Sequence, residues 1–93
     1  MDWRDKYGSW EGTAEELAAL ASTLEGRLFP GLPHDVNPPN VRLIRGYVTD
    51  GVVTRAERRS REAIFGFRQL LELLTARVLL REGWPLAKVA LFV

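Results

Sequence analysis

Seven arginines fall between residues 41 and 68: Arg42, Arg45, Arg55, Arg58, Arg59, Arg61 and Arg68. Asp50, Glu57 and Glu62 alone offset them in that block, which leaves an excess of +4. Arginine carries a planar fork of donors that fits phosphate oxygens and the acceptor edge of guanine. An all-arginine excess of this kind is the electrostatic footprint expected of a nucleic-acid partner. Residues 1–40 have the opposite sign, with Arg4, Lys6 and Arg27 against Asp2, Asp5, Glu11, Glu15, Glu16, Glu25 and Asp35, so the formal net charge of +1 conceals a polarised chain.

Other chemistries lack their residues. The chain has no cysteine, which removes disulfides, thiolate ligands and cysteine nucleophiles. Its one histidine, His34, has no second ligand near it in sequence, so a surface or packing role is expected rather than a metal or catalytic one. No nucleophile–base pair and no glycine-rich phosphate loop is present. The expectation is a protein that is not an enzyme, without metal or cofactor. No apolar run reaches the length of a membrane span, and the charged start lacks the apolar centre of a signal peptide. A cytoplasmic protein is expected. With 93 residues there is material for one core, not two.

The elements that would position the arginines can be read from pattern. Thr13-Ala14-Glu15-Glu16 is a capping-box sequence, and Leu17, Leu20, Ala21, Leu24 and Leu28 recur at helical steps, predicting a helix over 14–28. Prolines 30, 33, 38 and 39 with Gly31 predict an irregular connection. Asn37 or Asn40 can cap a second helix that ends near Asp50, with Gly51 as its left-handed stop. Val41, Ile44 and Val48 would face the core while Arg42 and Arg45 project outward. Val52-Val53-Thr54 and Ala63-Ile64-Phe65 read as two short strands around a basic tip, although a charged helix through 55–63 is also compatible with the composition. Leucines 70, 71, 73 and 74, Val78 and Leu79 mark a third helix near 67–82, and Trp84-Pro85 restarts the chain into a short fourth. Trp3, Tyr7 and Trp10 are expected to form an aromatic extension, residues 1–12, packed on a domain spanning 13–93.

Helix, turn, helix, hairpin, long helix, short helix is the order of a mainly α winged helix-turn-helix, with about four helices and a short β-hairpin wing. In that order the segment 41–52 resembles the recognition helix of the MerR family of bacterial regulators, with Arg45, Tyr47 and Gly51 in register. Ala63-Ile64-Phe65-Gly66 resembles the end of that family's wing, and Glu82–Val89 the segment opening its fourth helix. Gly46 stands where the family has an aromatic, Leu43 where it has threonine, Ala63 where the wing carries arginine, and Phe65 where it has tyrosine.

The resemblance implies sequence-specific binding of double-stranded DNA and transcriptional regulation, from a nucleoid-associated place in the cytoplasm. The helix near 40–50 would enter the major groove and the basic wing near 54–65 would follow the backbone. Arg42 is the candidate for a base edge, and Arg45 and Tyr47 for phosphates. Arg55, Arg58, Arg59, Arg61 and Arg68 would supply sequence-independent attraction. The family binds as dimers through a long helix after the fourth, which is not among these residues, so a monomer, a homodimer, a cooperative oligomer on DNA and a domain of a larger regulator all stay open. The rival reading is a protein-interaction module, in which the aromatic N-terminus and apolar C-terminus hold a partner and the arginines only solubilise.

Overall fold

The computed structural model describes residues 6–28 and 38–92. His34, Asn37, Trp3 and most of the proline-rich connection lie outside them. Strand β1 (Glu11–Gly12) leads into helix α1 (Ala14–Leu28), followed by α2 (Val41–Thr49), strands β2 (Glu57–Arg59) and β3 (Glu62–Gly66), and helices α3 (Phe67–Arg81) and α4 (Leu86–Phe92). The architecture is mainly helical with a small antiparallel sheet of order β1-β3-β2, a winged-helix arrangement.

Local chemistry sets the helix ends. Glu16 accepts from the Thr13 N–H at 2.9 Å and the Glu16 N–H donates to Thr13 Oγ1 at 3.3 Å, the reciprocal box predicted for α1. Of the two asparagines, Asn40 caps α2, accepting from the Leu43 N–H at 2.8 Å. At its far end the Val52 N–H reaches Tyr47 O and the Gly51 N–H reaches Val48 O, with Gly51 at φ +79°. That is a Schellman closure, and α3 ends the same way around Gly83.

The core joins one face of each helix: Leu17, Ala21 and Leu24 from α1, Ile44 from α2, Leu70, Leu73 and Leu74 from α3, and Val89 from α4. Val41 and Val48, expected inside, are only half-buried, and Tyr47 takes their place in the core.

Two parts of the chain differ from the pattern reading. Val52 and Val53 do not form a strand: both are about 1% exposed, and both N–H groups donate to Tyr47 O. Adjacent strand residues point to opposite faces, so two neighbouring buried valines suit a loop wedged into the core. The first wing strand is instead Glu57–Arg59, paired Glu57↔Ile64, Arg58↔Ala63 and Arg59↔Glu62. The second difference lies at the N-terminus. Glu11 and Gly12 pair with Gly66 and Phe65, so the end of the aromatic segment belongs to the sheet itself. Gly12 is buried where a Cβ would meet the Trp10 ring at 2.6 Å, so the indole packs closely only because no side chain stands there. Tyr7 and Trp10 supplement the core, as the aromatic spacing predicts.

Candidate nucleic-acid interface

The outward face of α2 carries Arg42, Arg45, Gly46 and Thr49, all exposed. Arg42 and Arg45 are three residues apart and flank this face rather than share one direction. Arg42 lines a cleft toward α3, and Arg45 lines a second groove toward the wing. Between them a Cβ on Gly46 would have no atom within 4 Å, so the middle of the helix face is low and open.

The groove between α2 and the wing has a volume of about 370 Å³. Arg45, Arg55 and Arg58 stand at it, over apolar surface from Val48, Ala63 and Phe65. None of the three makes an ion pair among the described residues. Three guanidiniums therefore converge from three separate stretches of chain with their charge uncompensated. Their positions follow from the fold: Arg45 rides on α2, Arg55 on the loop leaving the buried Val52-Val53 wedge, and Arg58 on β2.

Strand alternation divides the arginine run. Arg58 lies opposite Ala63 and lines the groove, while Glu57 and Arg59 point to the other side of the wing. There Arg59 donates twice to Glu11, at 2.9 and 2.7 Å, and again to Glu57 at 3.1–3.2 Å. Hydrogen bonding and charge from Arg59 hold the Glu11 carboxyl below its ordinary range, and the two carboxylates push Arg59 up. Arg59, counted in sequence among the DNA-facing cations, is instead committed to a bidentate carboxylate pair that ties β2 to β1.

Arg61 sits exposed at the tip of the hairpin, in a two-residue turn where Ser60 and Arg61 both have positive φ, 49° and 71°. Two positive φ values in a two-residue hairpin loop define a type I′ turn, whose twist matches the strands. Arg68 is largely exposed at the start of α3 and lies 3.6 Å from Glu72. Glu72 itself is engaged by the root of the wing: it accepts from the Thr54 N–H and from Thr54 Oγ1, both at 2.8 Å.

Tyr47 is the clearest correction. Its side chain is 8% exposed, turned inward beside Arg77, where burial raises the phenol pKa and hydrogen bonding to Arg77 opposes the rise. A hydroxyl held there is directed at the interior, not at a phosphate outside. The residues around it went unnoticed in sequence. Arg77 and Glu25 are both buried, paired at 2.8 Å, and Arg81 joins them at 3.3 Å. A signal existed: Arg77 falls on the Leu70–Leu73–Leu74 stripe of α3, and Glu25 follows Leu24 on the core stripe of α1.

Among the described residues there is no group of carboxylates or histidines that could hold a metal ion. No described helix is long and apolar enough to cross a membrane. Comparison with protein-family models, with curated proteins and with solved structures finds no match to this chain.

Proposed function

We propose that this chain is a MerR-like winged helix-turn-helix domain that binds double-stranded DNA and serves in transcriptional regulation. The observation that carries the reading is the convergence of Arg45, Arg55 and Arg58 around one groove beside the open face of α2. In this reading α2 enters the major groove, Arg42 reaches a base edge, and Arg45 with Arg55 and Arg58 holds the flanking phosphates. Arg61 at the wing tip, and Arg68 more weakly, add to the attraction. Arg59 and Tyr47 have no direct contact with DNA.

Gly46 supports the same docking. A helix face without a side chain at its centre can approach base edges closely, and the two arginines on either side supply the donors.

The test is a binding titration against duplexes selected from a random pool, at several salt concentrations. Binding should weaken steeply as salt rises, and each arginine removed from the groove should flatten the log–log salt slope by about 0.9. Arg42→Ala with Arg45→Ala should abolish selection of a defined sequence while circular dichroism is unchanged. Unaltered selection in that double variant would refute the α2 assignment.

A partner protein remains the second reading because Leu91 is 89% exposed on α4, near Trp84 and Leu86. Trp10 no longer contributes to it, being packed on the core. Binding to such a surface would vary little with salt, which separates the two readings in one experiment.

A further inference from the structure

The groove between α2 and the wing is one-sided in its hydrogen bonding. Its polar side chains, among the described residues, are Arg45, Arg55 and Arg58 alone. A guanidinium has five N–H donors and no acceptor. The rest of the lining is apolar, with Val48, Ala56 and Ala63 half-buried and Phe65 beneath them. The lining side chains therefore offer donors and apolar surface, and not one acceptor.

The pleat of the wing produces this sorting. Arg58 pairs with Ala63, and Phe65 lies two residues further along β3, so all three share the wing face that looks toward α2. The same register sets Glu57 opposite Ile64 and Arg59 opposite Glu62, on the other face. Both carboxylates of the hairpin are thereby turned away from the groove. Glu72, at the root of the wing, is held by Thr54.

A ligand that matches this lining is negatively charged, rich in acceptors and free of donors. The sugar-phosphate backbone of DNA has that composition, because the phosphate oxygens accept and deoxyribose within a strand carries no hydroxyl. Ribose differs by a 2′-hydroxyl, which is a donor as well as an acceptor. Resting on the DNA-binding reading above, we infer that this groove seats one deoxyribose-phosphate unit, with the phosphate at the three arginines and the sugar on the apolar floor, and that it rejects ribose at that nucleotide. A 2′-hydroxyl pressed against Val48 and Ala63 could accept from a guanidinium, but its own proton would be buried without a side-chain acceptor. A phosphorylated peptide meets the same objection, since its backbone N–H groups are donors too.

The test uses the full chain and a selected DNA duplex in which one nucleotide at a time is replaced by its ribose form. A second series carries 2′-fluoro sugars, which share the pucker preference of ribose but have no donor. Ribose should weaken binding about tenfold at the nucleotide seated in the groove, and the fluoro sugar should weaken it much less at the same place. Ala63→Ser and Ala56→Ser each put an acceptor into the floor and should reduce the ribose penalty severalfold. The inference is overturned, with DNA binding left standing, by a duplex that tolerates ribose at every position or by equal penalties from the two sugars. An undiminished ribose penalty in every serine variant that folds would overturn it as well. Absence of binding to any DNA duplex, or tighter binding to an RNA duplex of the selected sequence, would instead refute the DNA reading and the inference with it.

Discussion

Arg77 Nε lies 2.8 Å from Glu25 Oε2 in the interior, joining α3 to α1 across the body of the fold. Both residues are under one-tenth exposed, and Tyr47 of α2 packs beside them. One polar cluster thus spans three of the four helices that build the core. A buried ion pair is weak as a source of net stability, but removing one member strands the other. It also penalises any shift of α1 along α3, which would separate the partners.

Glu25→Ala should therefore destabilise the fold by about 3–5 kcal/mol, since it leaves Arg77 buried without its carboxylate. Arg81→Met should do less harm, because its contact with Glu25 is longer at 3.3 Å. Urea unfolding followed by circular dichroism gives both values. Equal losses from the two variants would contradict the ranking.

Gly46 sits inside α2 with open space where a Cβ would go. Gly46→Ala should stabilise the domain by about 1 kcal/mol through the helical preference of alanine. Gly46→Leu should keep the fold and weaken DNA binding, because the branched side chain rises between Arg42 and Arg45. Thermal unfolding and a binding titration measure the two effects separately. A Gly46→Leu variant that binds the selected duplex as the parent does would show that this face stays clear of DNA.

At the wing tip, Ser60 and Arg61 occupy positive φ without being glycine or asparagine. The type I′ turn favours Asn-Gly, so Ser60→Asn with Arg61→Gly should relieve strain of about 1–3 kcal/mol per residue at most. The melting temperature should rise. DNA affinity should nonetheless fall slightly, with a flatter salt slope, because one free cation has gone. Loss of stability in the double variant would exclude the turn.

Glu11 gives a pH-dependent prediction with a defined sign. Its folded pKa is lowered, first by hydrogen bonding to Arg59 and then by that residue's charge. The stabilisation is therefore present above the unfolded value, near pH 4.3–4.5, and disappears as pH falls through the lower folded value. The difference in urea midpoint between the parent and Glu11→Gln should persist at neutral pH and vanish in acid; a difference that grows in acid would contradict it. The same variant leaves Arg59 with Glu57 as its one carboxylate partner among the described residues, so the wing's net positive charge rises by one and the salt slope of DNA binding should steepen, by less than about 0.9.

Helix positions, caps and stops were legible in sequence because they depend on residues three to five apart. Thr13 with Glu16, Asn40 with Leu43, and Gly51 with Val48 are local arrangements, and each forms with little help from the rest of the fold. The leucine stripes likewise state which face of α1 and α3 goes inward. The wing was legible in kind but not in register. Val52-Val53-Thr54 has the composition of a strand, and only the packing of both valines into the core, with their N–H groups on Tyr47 O, shows that the strand begins five residues later.

The excess of arginine over acid in residues 41–68 is a property of the sequence alone, and so is its placement on a helix and the segment after it. Which of those arginines remain free was decided by tertiary structure. Arg58 and Arg59 are neighbours with the same chemistry, yet the pleat sends one to the groove beside Arg45 and the other to Glu11, a residue far away in the chain. Tyr47 looked like a surface donor until the fold placed Arg77 and Glu25 behind it. Charge is counted along a chain, but it is compensated through space, and contacts such as Arg59 with Glu11 arise only once the strands have paired.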